Sequence, residues 1–173
     1  MDINTFLEKT SGDWFSQRTT YNLTQDNVDN SKANITINLL SSDDNSQVEQ
    51  FCEKYNLNLD LSLGMMTSNW DNSPDWGKPK QQGNSLMLIF ADENNHNQGK
   101  ILRVLSDDKA LMGKYILAED ESLTLIIEEN NQSMEERIYF ASDNLRLRNT
   151  IVKNNGEVTQ TCFYSEIRRV INN

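Results

Sequence analysis

The chain has 173 residues, 36% of them hydrophobic, and a net charge of −10. That length suits one domain spanning residues 1–173 with a sizeable core. The negative balance argues against binding nucleic acid or an anionic membrane through the overall field, though not against a small positive pocket.

No apolar run approaches the roughly 20 residues of a membrane helix. The opening "MDINTFLEKTSG" lacks the basic start and apolar stretch of a secretory signal, so a cytoplasmic protein is expected. Cys52 and Cys162 stand far apart and outside any C-x-x-C spacing, which predicts free, buried thiols and no zinc. The single histidine, His96, lies in the polar stretch "DENNHNQG" and reads as an exposed loop residue. A histidine-based triad or a multi-histidine metal site is therefore not expected.

In chain order, the first predicted element is a helix over 2–10, with Asp2 as N-cap and Ile3, Phe6 and Leu7 at helical spacing. A second helix is predicted over 43–56, with Val48, Phe51, Cys52 and Tyr55 on one face. The remainder predicts strands at 12–24, 32–41, 60–71, 81–91, 99–106, 111–118, 122–129, 133–142, 145–154 and 158–170. Turn chemistry separates them, including "DNVDNS" at 26–31 and the proline-bearing "DNSPDWGKP" at 71–79. Short links imply antiparallel neighbours. An all-β, ten-stranded, antiparallel up-and-down barrel with two helices is the economical solution, because closure removes sheet edges. A β-sandwich is the rival.

The strand faces carry the chemistry. Residues two apart share a face. Trp14, Ser16 and Arg18 therefore lie on one wall, as do Arg146, Arg148, Thr150 and Val152. Glu136 shares a face with Ile138 and Phe140, and Glu166 with Cys162, Tyr164 and Arg168. One reading leaves these charges in solvent. The other turns them into a lumen, where buried charges need partners and a ligand carrying both signs supplies them. Trp70 and Trp76 flank the proline loop, either as ordinary packing or as flat surfaces at a pocket mouth.

"SGDWFSQR" (11–18), with its G-x-W of lipocalin-like barrels, "ERIYFASDNLRLR" (136–148) and "SEIRR" (165–169) together resemble the S-type phycobiliprotein lyases, the CpcS/CpeS family. The resemblance runs almost end to end. It implies a lipocalin-like barrel that binds an open-chain bilin as substrate, with no true cofactor, and delivers it to a cysteine of an apo-phycobiliprotein subunit. The product is a thioether at the bilin's A ring, and phycoerythrobilin is favoured over phycocyanobilin. Neither cysteine of this chain need react.

By their matching positions Arg18, Arg146 and Arg148 are implied to meet the bilin propionates. Glu136 and Glu166 are implied to pair with pyrrole nitrogens and to supply the catalytic proton, and Trp70 and Trp76 to shield or stack on the rings. A homodimer is a further expectation from the family. Against this lyase stand a non-catalytic bilin carrier and a purely structural domain.

Overall fold

Asp2 opens the first helix by accepting a hydrogen bond from Thr5 N at 2.8 Å, and α1 (Ile3–Thr10) follows with Lys9 in its last turn. Ile3, Phe6, Leu7 and Thr10 are buried along one stripe of it. The structure, a computed structural model, describes residues 1–41, 46–105 and 107–169.

Ten strands follow α1: β1 (Gly12–Asn22), β2 (Asn27–Leu40), β3 (Ser62–Asp71), β4 (Gln82–Ala91), β5 (Gln98–Leu105), β6 (Ala110–Leu117), β7 (Leu123–Glu129), β8 (Gln132–Ser142), β9 (Leu145–Asn154) and β10 (Glu157–Arg168). Between β2 and β3 lie α2 (Ser46–Tyr55) and a short 3₁₀ turn, Leu59–Leu61. The expected start of α2 at 43–45 lies outside the described residues, as do residue 106 of the fifth predicted strand and residue 170 of the last.

Each strand pairs antiparallel with the next, and β1 pairs with both β2 and β10, so the sheet closes into a barrel. One closed sheet leaves no room for the sandwich alternative. The turn expected at 26–31 falls earlier, at 23–26. Asn22 Oδ1 accepts from Thr24 N and Gln25 N, and Asp26 takes a positive φ of 49°. Residues 27–31 instead pair with β1. This hairpin end is largely exposed, so polar side chains cost it nothing, and Thr19 Oγ1 donates to Asn30 Oδ1 across it at 2.9 Å.

Two apolar clusters result. In the first, Ile3, Phe6 and Leu7 of α1 pack against inward residues from β1 to β8, among them Trp14, Ile37, Ile101, Leu125 and Ile138. One short helix can touch that many walls only by closing an end of the barrel, so α1 is its floor. Each of its large apolar side chains contributes about 1.5–3 kcal/mol by burial. The second cluster lies outside. Val48 and Cys52 of α2 cover Met65, Leu88, Phe90, Leu102 and Val104, the outward residues of β3, β4 and β5. Burial on alternate residues of β4 and β5 thus feeds two different cores.

Gly12 gives the G-x-W pattern a physical cause. Its φ is +128°, and a Cβ there would stand 2.5 Å from Arg168 Nη1. Without a side chain at 12, Arg168 reaches Ser11 O at 2.7 Å and also Lys9 O, while its guanidinium lies 4.3 Å from the Trp14 ring centroid. Trp14 Nε1 in turn donates to Thr10 O at 3.0 Å. The tripeptide fastens floor helix to wall.

Candidate ligand-binding and catalytic site

Above that floor β1, β8, β9 and β10 turn charges inward. Glu166 is 0% exposed. Its Oε2 accepts from Arg146 Nε at 2.7 Å, and its Oε1 accepts from Arg148 Nη2 at 3.0 Å and from Ser16 Oγ at 3.2 Å. Arg148 Nη1 reaches Glu136 Oε1 at 3.5 Å. The guanidiniums are also stacked: Arg146 lies 4.7 Å from the Trp14 ring centroid and Arg148 3.8 Å from that of Tyr164. Cross-strand register makes this possible, because Glu166 sits opposite both Ser16 and Arg146. Arg148 Nε and Thr150 Oγ1 are buried without a hydrogen-bond partner.

Electrostatics fix the state of this lattice. Burial pushes the Glu166 carboxyl up, but Arg148 and Arg146 beside it outweigh that and hold it below the usual carboxylate range. Burial opposes the Arg148 charge, yet Glu166 and Glu136 more than restore it and raise its pKa further. Glu166 is therefore a carboxylate at neutral pH. Burial raises the Tyr164 phenol, with Arg148 offsetting part of the effect.

Two cavities meet at this lattice. The lower, about 100 Å³, is bounded by Phe6 and Leu7 of the floor, by Leu125 and Ile138, and by Glu136 and Arg146. The upper, about 570 Å³, is bounded by Arg18, Trp70, Arg103, Arg148 and Tyr164, with Lys32, Asp75 and Lys78 among the residues at its rim. That volume lies in the range of about 300–1,000 Å³ usual for small-molecule sites. Ser68, Ser85, Arg103 and Arg148 line both and form the neck between them. The β3–β4 connection is strapped over β2 at the rim: Asp75 Oδ2 accepts from Lys32 N at 3.2 Å, and Lys78 pairs with Asp29 at 3.3 Å.

The structure brings Arg18, Glu136, Arg146, Arg148 and Trp70 onto the cavity walls. Arg18 is exposed, at the chamber's open side. Trp70 lies flat against Gly83, where a Cβ would come within 2.7 Å of the indole nitrogen. Two expected ligand contacts sit elsewhere. Glu166 lines neither cavity, because the arginines it holds stand in front of it. Trp76 is 92% exposed and off the chamber wall, because its loop is tied down by Asp75 and Lys78 on either side of it and leaves the indole facing outward.

Arg103 went unnoticed in the sequence, although "KILRVL" carries the signal: a guanidinium between Ile101 and Leu105 on an apolar face, as with Arg18 after Trp14. Cys52 and Cys162 are free and buried and line neither lumenal cavity. His96 is exposed, and its carbonyl accepts from the buried Tyr115 hydroxyl at 2.7 Å. Among the described residues no cluster of histidine, cysteine or carboxylate ligands could hold a metal, and no helix is long and apolar enough to cross a membrane.

The chain has counterparts among known proteins. A chromophore lyase CpcS/CpeS of Thermosynechococcus vestitus is 34% identical over 97% of this chain and 93% of its own. A phycocyanobilin lyase subunit CpcS of Picosynechococcus sp. is 29% identical over 96% of this chain and 86% of its own. The solved structure of an S-type phycobiliprotein lyase from Guillardia theta superposes with a TM-score of 0.82 at 24% identity, over 99% of this chain and 95% of that one, which shows the same fold. The model of the CpeS-like proteins matches residues 2–169. With a barrel of the lipocalin-like form and relatives of this identity along nearly its whole length, the chain belongs to the CpeS-like family of chromophore lyases.

Proposed function

We propose that residues 1–173 form one lyase domain that binds a linear tetrapyrrole in the upper chamber and joins it to a cysteine of an apo-phycobiliprotein subunit. The observation that carries this reading is the chamber itself: about 570 Å³, bounded by arginines, an indole and a phenol, in a chain of the lyase family. A bilin has a flat conjugated body, two propionates and a row of pyrrole nitrogens. Arginine forks suit the propionates, and Trp70 and Tyr164 offer flat faces to the rings.

In the reaction the client sulfur bonds to the ethylidene carbon of the A ring. The exocyclic double bond is lost, the thiol's hydrogen is made up on the ring, and nothing is expelled or oxidised. A protonated bilin is the better electrophile. Glu136, with one long contact at 3.5 Å and a place on the lower cavity wall just below the neck, is the carboxyl that meets the pyrrole nitrogens of a pigment reaching through the neck from the upper chamber and moves that proton. Glu166, ionised and out of reach, acts as a positioning residue that fixes Arg146 and Arg148. The remaining catalytic power is orientation of one end of the pigment toward one client thiol. We place the reaction in the cytoplasm. The working unit is read as a homodimer, for which Phe163 and Ile167, exposed on the outer face of β10, offer an apolar surface.

Mixing the protein, phycoerythrobilin or phycocyanobilin, and an apo-phycobiliprotein subunit tests the reading. A coloured subunit band on a denaturing gel, formed faster with phycoerythrobilin, is expected. A bilin that colours the lyase in solution but leaves the denatured subunit colourless would make the protein a carrier.

A further inference from the structure

The charges around the lumen do not all cancel. In the lattice two arginines, 146 and 148, meet two glutamates, 136 and 166. At the rim two lysines balance two aspartates in number: Lys78 pairs with both Asp29 and Asp75 at 3.3 Å, while Lys32 is exposed and has no ion pair of its own among the described residues. Two guanidiniums remain. Arg18 and Arg103 both line the upper chamber, and neither has a hydrogen-bond or ion-pair partner among the described residues. A chain of net charge −10 thus keeps two surplus positive charges in its cavity.

Arg103 is the less exposed of the two. Its register neighbours are Met87 on β4 and Leu111 on β6, so neither cross-strand neighbour carries an anion, and Glu136, the acid that shares the lower cavity with it, is paired with Arg148. Around the ring β5 is separated from β1 by β2, β3 and β4, so Arg103 and Arg18 approach the chamber from nearly opposite walls. A half-buried guanidinium without a counter-ion costs stability. It is tolerated where a ligand neutralises it.

From this arrangement we infer that Arg103 is a carboxylate anchor: with Arg18 it grips the two acid groups of a flat dicarboxylate held in the upper chamber. The inference rests on the bilin reading of that chamber and sharpens it. Arg146 and Arg148, already neutralised by Glu166 and Glu136, shape the cavity, while the propionates go to the two arginines without partners.

Absorbance titration separates these roles. Wild type and Arg103→Gln are each titrated with phycoerythrobilin as the free diacid and as its dimethyl ester, which keeps the rings and removes both charges. Arg103→Gln is expected to weaken diacid binding about tenfold or more, the scale of a charge-assisted contact, and to change ester binding by less than about twofold. Equal loss for both ligands, or no loss for the diacid, overturns the anchor. Wild type that takes up neither ligand overturns the bilin reading itself, and the anchor with it. A second measurement uses only wild type: bound diacid should shield Arg103 from a dicarbonyl arginine reagent, read by peptide mass spectrometry, and the ester should not. Equal labelling with and without diacid also overturns the assignment.

Discussion

Toward the floor of the lumen Arg146 and Arg168 meet an anion or a carbonyl; Arg18 in the upper chamber and Arg103 at the neck face open cavity. The two regions use the same residue type. What differs is whether the wall supplies the partner. Where it does, as with Glu166 for Arg146, the charge becomes part of the scaffold, and its removal should read out as stability. Where it does not, the charge is free for a ligand, and its removal should read out as binding.

The sharpest way to break this comparison is Glu166→Ala. It removes a carboxylate that is 0% exposed and leaves two guanidiniums without their main counter-ion, and the expected loss is about 3–5 kcal/mol in urea unfolding. A loss below about 1 kcal/mol would mean that the lattice is no scaffold.

Acid provides the second test. The folded Glu166 pKa lies below its unfolded value. Its contribution to stability is therefore complete above the ordinary glutamate value of 4.5 and is lost as pH falls through the lowered folded value. Melting temperatures of wild type should fall across that window, and those of Glu166→Gln should fall less steeply. Parallel curves would remove Glu166 from the account.

The smallest effects concern the tryptophans. Trp70→Ala should weaken bilin binding by about 0.5–1.5 kcal/mol, the worth of one aromatic stacking contact. Trp76→Ala should move stability by less than about 0.5 kcal/mol, as for a surface position, and leave bilin binding in the absence of client unchanged. If Trp76 proves the stronger bilin contact, its loop closes over the chamber when pigment enters.

Much of this was legible in residues 1–173. The period-2 alternation of "NLRLRNTIVKN" put Arg146 and Arg148 on one wall, and the helical spacing of Ile3, Phe6 and Leu7 marked a helix with one buried stripe. Alternation says which residues share a wall. It does not say how far up the wall each lies, nor what faces it from a distant strand. That is why Glu166 read as a ligand contact yet stands behind two arginines, and why Arg103 escaped notice between Ile101 and Leu105. The early β1–β2 turn misled for another reason: "DNVDNS" has turn composition, but its backbone found partners in β1.

By itself the sequence determined the all-β class, the two helices, the family and which charges of β1, β8, β9 and β10 share a wall, because those depend on local period and on residue strings. Only the tertiary structure decided which charges cancel. Pairing Glu166 with Ser16 and Arg146 is a matter of register between strands more than a hundred residues apart in one case and twenty in the other, and closure of the ring sets Arg103 across from Arg18. Coulomb's law acts on those distances through space and takes no account of separation along the chain.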